Sequence, residues 1–229
     1  MDRASDFGSE GWGFESLRAR LASNNGLYIE LVSKVLLTGF QPFHRASSNP
    51  SEEIVNEIVS RGIPGVFGEV LPVIFGESAQ RLLTRIEEVQ PDVVISLGQA
   101  EGRTQITPER IAINLDDARI ADNAGNTPSD TPVITNGANA LFSTLPVKEI
   151  VSSIQSAGIP STVSLSAGTF VCNHIFYHLQ NYTASKRIKS GFIHVPLMDS
   201  QESEFPGLPT MVLTKMVEAI LIAIEVSRR

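Results

Sequence analysis

Cysteine is almost absent from this sequence, because Cys172 is the only one among 229 residues. A single thiol can form neither an internal disulfide nor a cysteine-rich zinc site, which excludes the small secreted domains that disulfides hold together. Chains with so little cysteine are typical of reducing compartments. We therefore expect a cytoplasmic protein.

Long hydrophobic runs are missing as well. The most apolar stretch, residues 211–224, is shorter than the roughly 18 residues of a membrane span and carries Lys215 and Glu218. Residues 1–33 lack the apolar centre of a signal peptide and show no strong period. We interpret residues 1–33 as a loose or vector-derived extension of a soluble protein that does not contact membranes.

Positive charge is scarce, with 18 Lys and Arg against 25 Asp and Glu and a formal net charge of −7. A nucleic-acid-binding protein normally presents a basic surface to the phosphates, and no Lys/Arg cluster is present here. The composition therefore excludes nucleic acid as a partner. Hydrophobic residues make up 42% of the chain, which is enough for the core of a soluble domain.

From Lys34 onward, short β-rich runs alternate with segments of helical period, which predicts one α/β domain over residues 34–229 with helices on both faces of a sheet. The predicted strands are 34–40, 67–73, 92–98, 110–115, 161–166 and 191–196, and the predicted helices are 49–62, 77–90, 147–158, 172–182 and 210–228. Residues 116–144 are rich in Gly, Asn, Asp and Pro and match neither period, which is typical of a long functional loop. Ligands of such sheets gather at the carboxyl ends of the strands.

Cys172 is predicted to lie in the first turn of a helix. Unpaired backbone N–H groups and the positive end of the helix dipole favour a thiolate there. The dipole contributes only ~0.3–1 kcal/mol, so a histidine is needed to activate the thiol. The alternative is a buried, inert cysteine that acts as a small hydrophobe.

His174 is the histidine nearest in sequence, but it is a poor partner for this thiol. Residues two apart on a helix point roughly 200° away from each other. His178, six positions after Cys172, is roughly 240° round and more than one turn along the axis. His174 and His178 are spaced to share a metal ion, but no third ligand is evident, so we expect no metal site.

His194 is the better partner on position. It lies in the strand "GFIHVP", which Pro196 is expected to end, near the edge where sites assemble. His44, in the loop after the first strand, is a second candidate.

A Cys–His pair usually needs an acid that fixes the tautomer of the imidazole. Glu109, Asp116 and Asp117 all lie beside a strand end. Glu109 places a charge among the apolar residues of a strand, which suggests a role in the site. A surface salt bridge would also explain the charge. Position alone does not choose among the three acids.

Four segments, "VLLTGFQPF", "SLGQAEGRTQITPERIAINLDDARIADNAG", "SAGTFVCNHIFYHL" and "GFIHVP", resemble the pyroglutamyl-peptidase I family, also called pyrrolidone-carboxylate peptidase, in order over residues 34–225. The resemblance implies a cysteine peptidase that removes an N-terminal pyroglutamyl residue from peptides and uses no metal or cofactor. It implies a single-domain, three-layer α/β/α sandwich with a mixed, largely parallel twisted sheet, and a homotetramer. The family's catalytic cysteine, histidine and glutamate carry over to Cys172, His194 and Glu109.

The implied reaction is attack of the Cys172 thiolate on the amide carbonyl, with protonated His194 donating to the leaving amine and Glu109 orienting His194. Water then hydrolyses the thioester. N–H groups around Cys172 are expected to stabilise the oxyanion. Arg119 is a further candidate donor, and its alternative role is a salt bridge with Asp116 or Asp117.

Pyroglutamate is a neutral lactam, so its pocket is expected to be an apolar slot with a few hydrogen bonds. Phe40 and Phe43 suit the flat ring, although core packing explains one of them equally well. Gln99 and Asn49 are candidates to bind the lactam carbonyl or N–H. Asn49 is also placed to cap the helix that begins at Pro50.

The sequence departs from the usual family pattern around this pocket. His44 and Arg45 stand where the family usually has glycines, and Glu101 replaces a common glycine. After "HVP", the segment "LMDSQ" (197–201) replaces the "PEQ" that is more usual in the family. We expect these differences to affect the pocket rim rather than the catalytic residues.

Two other functions fit parts of the sequence. The fold group of this family includes nucleoside phosphorylases, which need phosphate-binding arginines and would tolerate replacement of Cys172. A small-molecule binding protein with an inert Cys172 is the non-enzymatic alternative, and slow reaction with iodoacetamide would identify it.

Overall fold

A mixed sheet with helices on both faces forms the centre of the molecule, as described by a computed structural model for residues 32–229. In chain order the elements are β1 (Val35–Phe40), α1 (Pro50–Ser60), β2 (Val66–Leu71), α2 (Glu77–Val89), β3 (Val93–Gln99), β4 (Thr107–Pro108), β5 (Ile111–Ile113), β6 (Ala140–Phe142), α3 (Val147–Ser156), α4 (Val171–Thr183), β7 (Lys189–Val195), β8 (Leu197–Met198), a 3₁₀ turn (Asp199–Gln201), β9 (Thr210–Met211) and α5 (Leu213–Arg228).

The main sheet has the strand order β2-β1-β3-β7-β4. Its first four strands are parallel, and β4 runs antiparallel to β7. Two short sheets, β5 with β6 and β8 with β9, lie outside it. The predicted fold class, a mixed and largely parallel sheet in an α/β/α sandwich, is confirmed.

Alternating side chains of the buried strands form two separate cores. In β1, Val35 and Leu37 pack with residues of α1, α3 and α5, whereas Leu36 packs with residues of α2 and α4. Because successive side chains of a strand point to opposite faces and both faces are buried here, every residue of the strand is apolar or buried, and the sequence shows a continuous apolar run. The site described below lies on the face covered by α2 and α4.

Two predicted strands differ in the structure. Residues 161–166 form no strand and pair only through isolated bridges at Ser161 and Ser164. The Thr162 and Ser164 N–H groups donate to the Ile106 and Pro108 carbonyls at 3.1 and 3.0 Å, so the segment lies beside β4 without forming a continuous ladder. The strand predicted at 110–115 is reduced to Ile111–Ile113, which pairs with β6 rather than with the main sheet.

The helices agree with their predicted positions to within about three residues. The largest difference is at α5, which begins at Leu213 rather than 210 because Thr210 and Met211 pair with β8. Within residues 32–229, no helix combines the length and apolar character needed to cross a membrane. Residues 1–31 lie outside the described part of the chain, so the interpretation of 1–33 as an extension stays a prediction.

Candidate active site

The carboxyl ends of β1, β3 and β7 meet at one edge of the sheet because these strands are parallel. Phe40 ends β1, Gln99 ends β3, and His194 lies one residue before the end of β7. Three of the predicted site residues therefore come from strand ends that are adjacent in space.

Strand alternation places His194 on the face covered by α4. Its neighbours Ile193 and Val195 belong to the opposite core, whereas Phe192 packs with α2 and α4. His194 is two residues from Phe192 and shares its face, with 4.8 Å between the ring centroids. The imidazole is 4% exposed, so its environment is largely protein.

The absence of a side chain at Gly98 allows Cys172 to lie close to the strand position of His194. Cys172 is the second residue of α4, and a Cβ atom on Gly98 would lie 2.9 Å from the Cys172 sulfur and 2.8 Å from the Phe192 ring. Gly98 is the register partner of His194 in the β3–β7 pair. The missing side chain thus lets the thiol lie over β3, beside the strand position of His194.

Glu109 contacts the other side of His194. The antiparallel pairing of β4 with β7 ends in a backbone hydrogen bond from the Glu109 N–H to the Phe192 carbonyl, at 2.8 Å. The Glu109 Oε1 then lies 2.8 Å from the His194 Nδ1. Since Nδ1 is engaged by the carboxylate, Nε2 is the ring nitrogen available to a thiol or a substrate.

The other two candidate acids lie elsewhere. Asp116 Oδ2 is 2.8 Å from the Nδ1 of His174, and the Gly76 N–H donates to the His174 Nε2 at 3.0 Å. Both nitrogens of His174 are therefore engaged away from the thiol. Asp117 is exposed and accepts from the Asp130 N–H at 3.3 Å. Of the three acids, Glu109 is the one that contacts His194.

Arg103 is a component of the site that sequence reasoning missed. Its Nη1 donates to the Glu109 Oε1 at 2.7 Å and also contacts the Thr107 hydroxyl, and its Nη2 donates to the Ser166 carbonyl at 3.1 Å. Glu109 thus has both a salt bridge and a histidine partner. The available signal was an arginine six residues before a buried glutamate in "GRTQITPER".

Burial sets the resting protonation of the pair. Cys172 as a residue is partly exposed, but burial of its sulfur raises the pKa of the thiol to about 12, with the charge of Glu109 acting in the same direction and Arg103 opposing. Burial also lowers the pKa of His194, although Glu109 opposes this. Desolvation of the sulfur therefore opposes the thiolate that the helix dipole favours. Burial thus favours the neutral thiol and the neutral imidazole.

Glu109 remains ionised in this buried position. Burial by itself raises the pKa of its carboxyl, but the hydrogen bond and charge of His194, together with the nearby charge of Arg103, outweigh burial and lower that pKa. A fixed negative charge beside Nδ1 favours an imidazolium during a reaction.

A small, partly open cavity adjoins the thiol. Its lining residues are Phe40, Phe43, Asn49, Val73, Gln99, Phe170, Val171 and Cys172. Four of the five predicted substrate-binding residues are among them. Phe170 was missed, although it lies two residues before Cys172, and its ring centroid is 6.2 Å from that of Phe43.

Asn49 and Arg119 have further contacts that bear on their predicted roles. The Asn49 Oδ1 accepts from the Ser51 N–H at 3.0 Å, so Asn49 caps α1 as well as lining the cavity. Arg119 is exposed, is not among the lining residues, and forms no salt bridge with Asp116 or Asp117 in residues 32–229.

The loop that carries the atypical residue Arg45 packs against the loop that carries Glu204 and Phe205. The Arg45 guanidinium lies 4.6 Å from the centroid of the buried Phe205 ring. The Ser47 N–H and hydroxyl donate to the Glu204 carboxylate at 2.8 and 2.6 Å. His44 and Glu101 are exposed. Within residues 32–229, no three His, Cys, Asp or Glu side chains cluster closely enough to hold a metal ion.

Comparison with known proteins adds independent findings. The pyroglutamyl peptidase family model matches residues 33–229. The pyrrolidone-carboxylate peptidase of Vibrio vulnificus is 51% identical over 189 residues, which cover 82% of this chain and 89% of that protein. That of Bacillus cereus is 48% identical, covering 84% and 92%. The crystal structure of pyroglutamyl peptidase I from Bacillus amyloliquefaciens is similar with a TM-score of 0.82 and 42% identity, covering 86% and 95%.

The α/β/α sandwich, the cysteine site and these relatives define a peptidase of the cysteine class. The family match extends over nearly all of the described chain. The chain belongs to the pyroglutamyl peptidase family.

Proposed function

We propose that this protein hydrolyses the amide bond that follows an N-terminal pyroglutamyl residue of a peptide, with Cys172 as nucleophile, His194 as acid and base, and Glu109 as the group that orients His194. The observation that carries the proposal is the placement of a thiol over Gly98, beside a histidine whose Nδ1 lies 2.8 Å from a buried carboxylate. An apolar cavity that adjoins the thiol supports a small, uncharged substrate group.

The reaction begins from the neutral pair. As the Cys172 sulfur bonds to the substrate carbonyl carbon, the thiol proton passes to the Nε2 of His194. The resulting imidazolium is stabilised by Glu109 and donates its proton to the amine nitrogen as the C–N bond breaks. This step leaves a thioester and releases the shortened peptide.

Water completes the cycle. His194 accepts a proton from water as the water oxygen bonds to the thioester carbonyl carbon. The C–S bond breaks, the sulfur regains a proton, and pyroglutamate leaves as the free acid. No metal or cofactor takes part in the proposed cycle.

The start of α4 supplies donors for the oxyanion. The first N–H groups of a helix have no partner within it, and Phe170 at the N-cap forms no side-chain capping bond in α4. These N–H groups lie next to the sulfur because Cys172 itself is in the first turn. Arg119 remains a second candidate donor. Because its side chain is exposed and does not line the cavity, the loop that carries it would have to move for Arg119 to reach the oxyanion.

The cavity favours a lactam over a free N-terminus. None of its lining residues is an acid or a base except the Cys172 thiol. An N-terminal ammonium bound there would lose its hydration without gaining a negatively charged partner. Phe40 and Phe43 offer apolar faces to a flat ring. Gln99 offers an amide to a lactam, whose carbonyl and N–H are both neutral.

Release of a fluorescent amine from a pyroglutamyl-arylamide tests the proposal. The parent should be active, and Cys172→Ser and His194→Ala should each lose at least about 10³-fold in kcat/KM, as removal of a nucleophile or its base does elsewhere. A prolyl-arylamide serves as the control substrate, since it has the ring without the carbonyl. Full activity in either variant would overturn the assignment.

The family resemblance and composition support three further parts of the proposal: substrates that are peptides with N-terminal pyroglutamate, a cytoplasmic location and a homotetramer. Light scattering coupled to size exclusion tests the last of these. A mass near that of one 24.8 kDa chain at micromolar concentration would contradict it.

A further inference from the structure

Gln201 is a fully buried amide outside the catalytic group, in the 3₁₀ turn after β8. Its Oε1 accepts from the Met198 N–H at 2.9 Å. Its Nε2 donates to the Ser48 carbonyl at 3.0 Å and to the Gln99 Oε1 at 3.0 Å. The two bonds donated by Nε2 therefore link the turn to the loop after β1 and to the cavity wall.

The direction of these hydrogen bonds is fixed by chemistry. A backbone N–H can only donate and a backbone carbonyl can only accept. Met198 and Ser48 together therefore allow one orientation of the Gln201 amide, with its oxygen toward Met198. Gln201 then meets Gln99 with an N–H, and Gln99 must present its oxygen to Gln201.

The other end of Gln99 is left without a partner. Gln99 is 8% exposed, lines the cavity, and its Nε2 has no hydrogen-bond partner among residues 32–229. Asn49, the other amide of the lining, has both ends engaged, with Oδ1 accepting from Ser51 and Nδ2 donating to the Gln41 carbonyl at 3.1 Å. The Gln99 Nε2 is therefore a buried hydrogen-bond donor of the cavity wall that has no acceptor among residues 32–229.

We propose that Gln201 is a specificity-positioning residue, which locks the Gln99 amide so that its Nε2 donates to the ring carbonyl of the substrate's N-terminal residue. The inference rests on the proposed function and deepens it: Gln99 binds the lactam carbonyl and not the lactam N–H. The Gln201 lock selects for five-membered rings that carry a carbonyl.

Gln201→Glu is the variant that separates this role from a structural one. Once ionised at high pH, the introduced carboxylate can still accept from Met198 with one oxygen, but its second oxygen cannot donate to Gln99, as the protonated carboxyl could. Gln99 should then rotate, donate to Glu and turn its oxygen toward the cavity. Against a pyroglutamyl-arylamide, KM should rise at least tenfold, whereas kcat should stay within about threefold.

A double-variant cycle tests whether Gln201 acts through Gln99. The loss in kcat/KM from Gln201→Glu should be at least tenfold in the parent and less than twofold in a Gln99→Leu background. Glu204→Ala is the matched control, because it removes the hydrogen bonds from Ser47 in the loop after β1 and leaves the Gln201–Gln99 contact in place. The KM of this variant should stay within twofold of the parent value. Unchanged KM in Gln201→Glu, or losses that simply multiply in the double variant, would overturn the proposal.

Protection of Cys172 from iodoacetamide by cyclopentanone provides a readout that does not depend on hydrolysis, since cyclopentanone has the ring carbonyl and no N–H. Protection in the parent that requires at least tenfold more cyclopentanone in Gln201→Glu supports the lock even if the parent fails to cleave the arylamide. Equal protection in both proteins contradicts it. If Gln201→Glu does not fold, Gln201→Met should show the same tenfold changes, and parent-like values in Gln201→Met would contradict the lock.

Discussion

At the scale of single residues, the site combines groups whose pKa values depend on one another. Glu109 Oε1 is shared by His194 Nδ1 at 2.8 Å and Arg103 Nη1 at 2.7 Å. The arginine offsets part of the carboxylate charge that His194 experiences, so it limits the basicity of the imidazole. Arg103 is thus a positioning and tuning residue, and it does not contact the reacting atoms.

This arrangement predicts the direction of a change in pH dependence. The proposed reaction needs neutral His194, so kcat/KM should rise with pH as His194 loses its proton, with the midpoint below the usual histidine value because burial lowers this pKa. The charge of Arg103 also lowers the pKa of His194. In Arg103→Gln the rising limb should therefore move to higher pH, which a profile of kcat/KM between about pH 4.5 and 8 measures.

Arg81→Gln is the matched control. Arg81 is an exposed arginine of α2 whose Nε lies 2.7 Å from the Glu69 Oε1, away from the strand ends. Its replacement removes the same charge from the protein and should leave the profile in place. A limb that does not move in Arg103→Gln, or that moves equally in Arg81→Gln, would contradict the assigned role.

At the scale of elements, α4 performs two functions on one helix. Its second residue, Cys172, lies over β3, and its fourth residue, His174, contacts Asp116 and the N–H of Gly76 at the start of α2. The two side chains point in different directions because two helical positions are separated by about 200°. The sequence "CNH" therefore joins the cysteine that we propose as nucleophile to a histidine with a structural contact.

His174→Ala should accordingly keep most of the activity while losing stability. Its removal leaves the buried Asp116 carboxylate and the Gly76 N–H without their partner, which costs about 2–4 kcal/mol. Urea unfolding measures this loss. Where the variant is folded, its kcat/KM should stay within about threefold of the parent, in contrast to His194→Ala; inactivation with the fold intact would return His174 to the catalytic candidates.

At the scale of the whole molecule, the residues that we assign to the site lie between Phe40 and Gln201, and the family match begins at residue 33. A chain that begins at residue 32 should therefore retain the kcat/KM of the full chain within about twofold. Arylamide hydrolysis by the two chains at equal concentration measures this. A loss above tenfold would assign a role in catalysis or folding to residues 1–31.

Much of this organisation is accessible from the sequence. Apolar runs of strand length between helical segments predicted the layers because a strand covered on both faces must be apolar throughout. The strand predicted at 161–166 is absent because its pairing with the chain around the two-residue strand β4 is limited to isolated bridges at Ser161 and Ser164. Position in the chain favoured His194 over His174, but only the family resemblance favoured Glu109 over Asp116 and Asp117.

Local periodicity in the sequence was sufficient to predict the α/β layering, the position of Cys172 at a helix start and the position of His194 near a strand end. The burial that opposes charge on Cys172 and His194, the salt bridge of Arg103 and the orientation of Gln99 became evident only from the folded structure. Protonation depends on desolvation, which is a property of the assembled core. The lock on Gln99 comes from Gln201, 102 residues away in sequence, and no local pattern records a contact of that range.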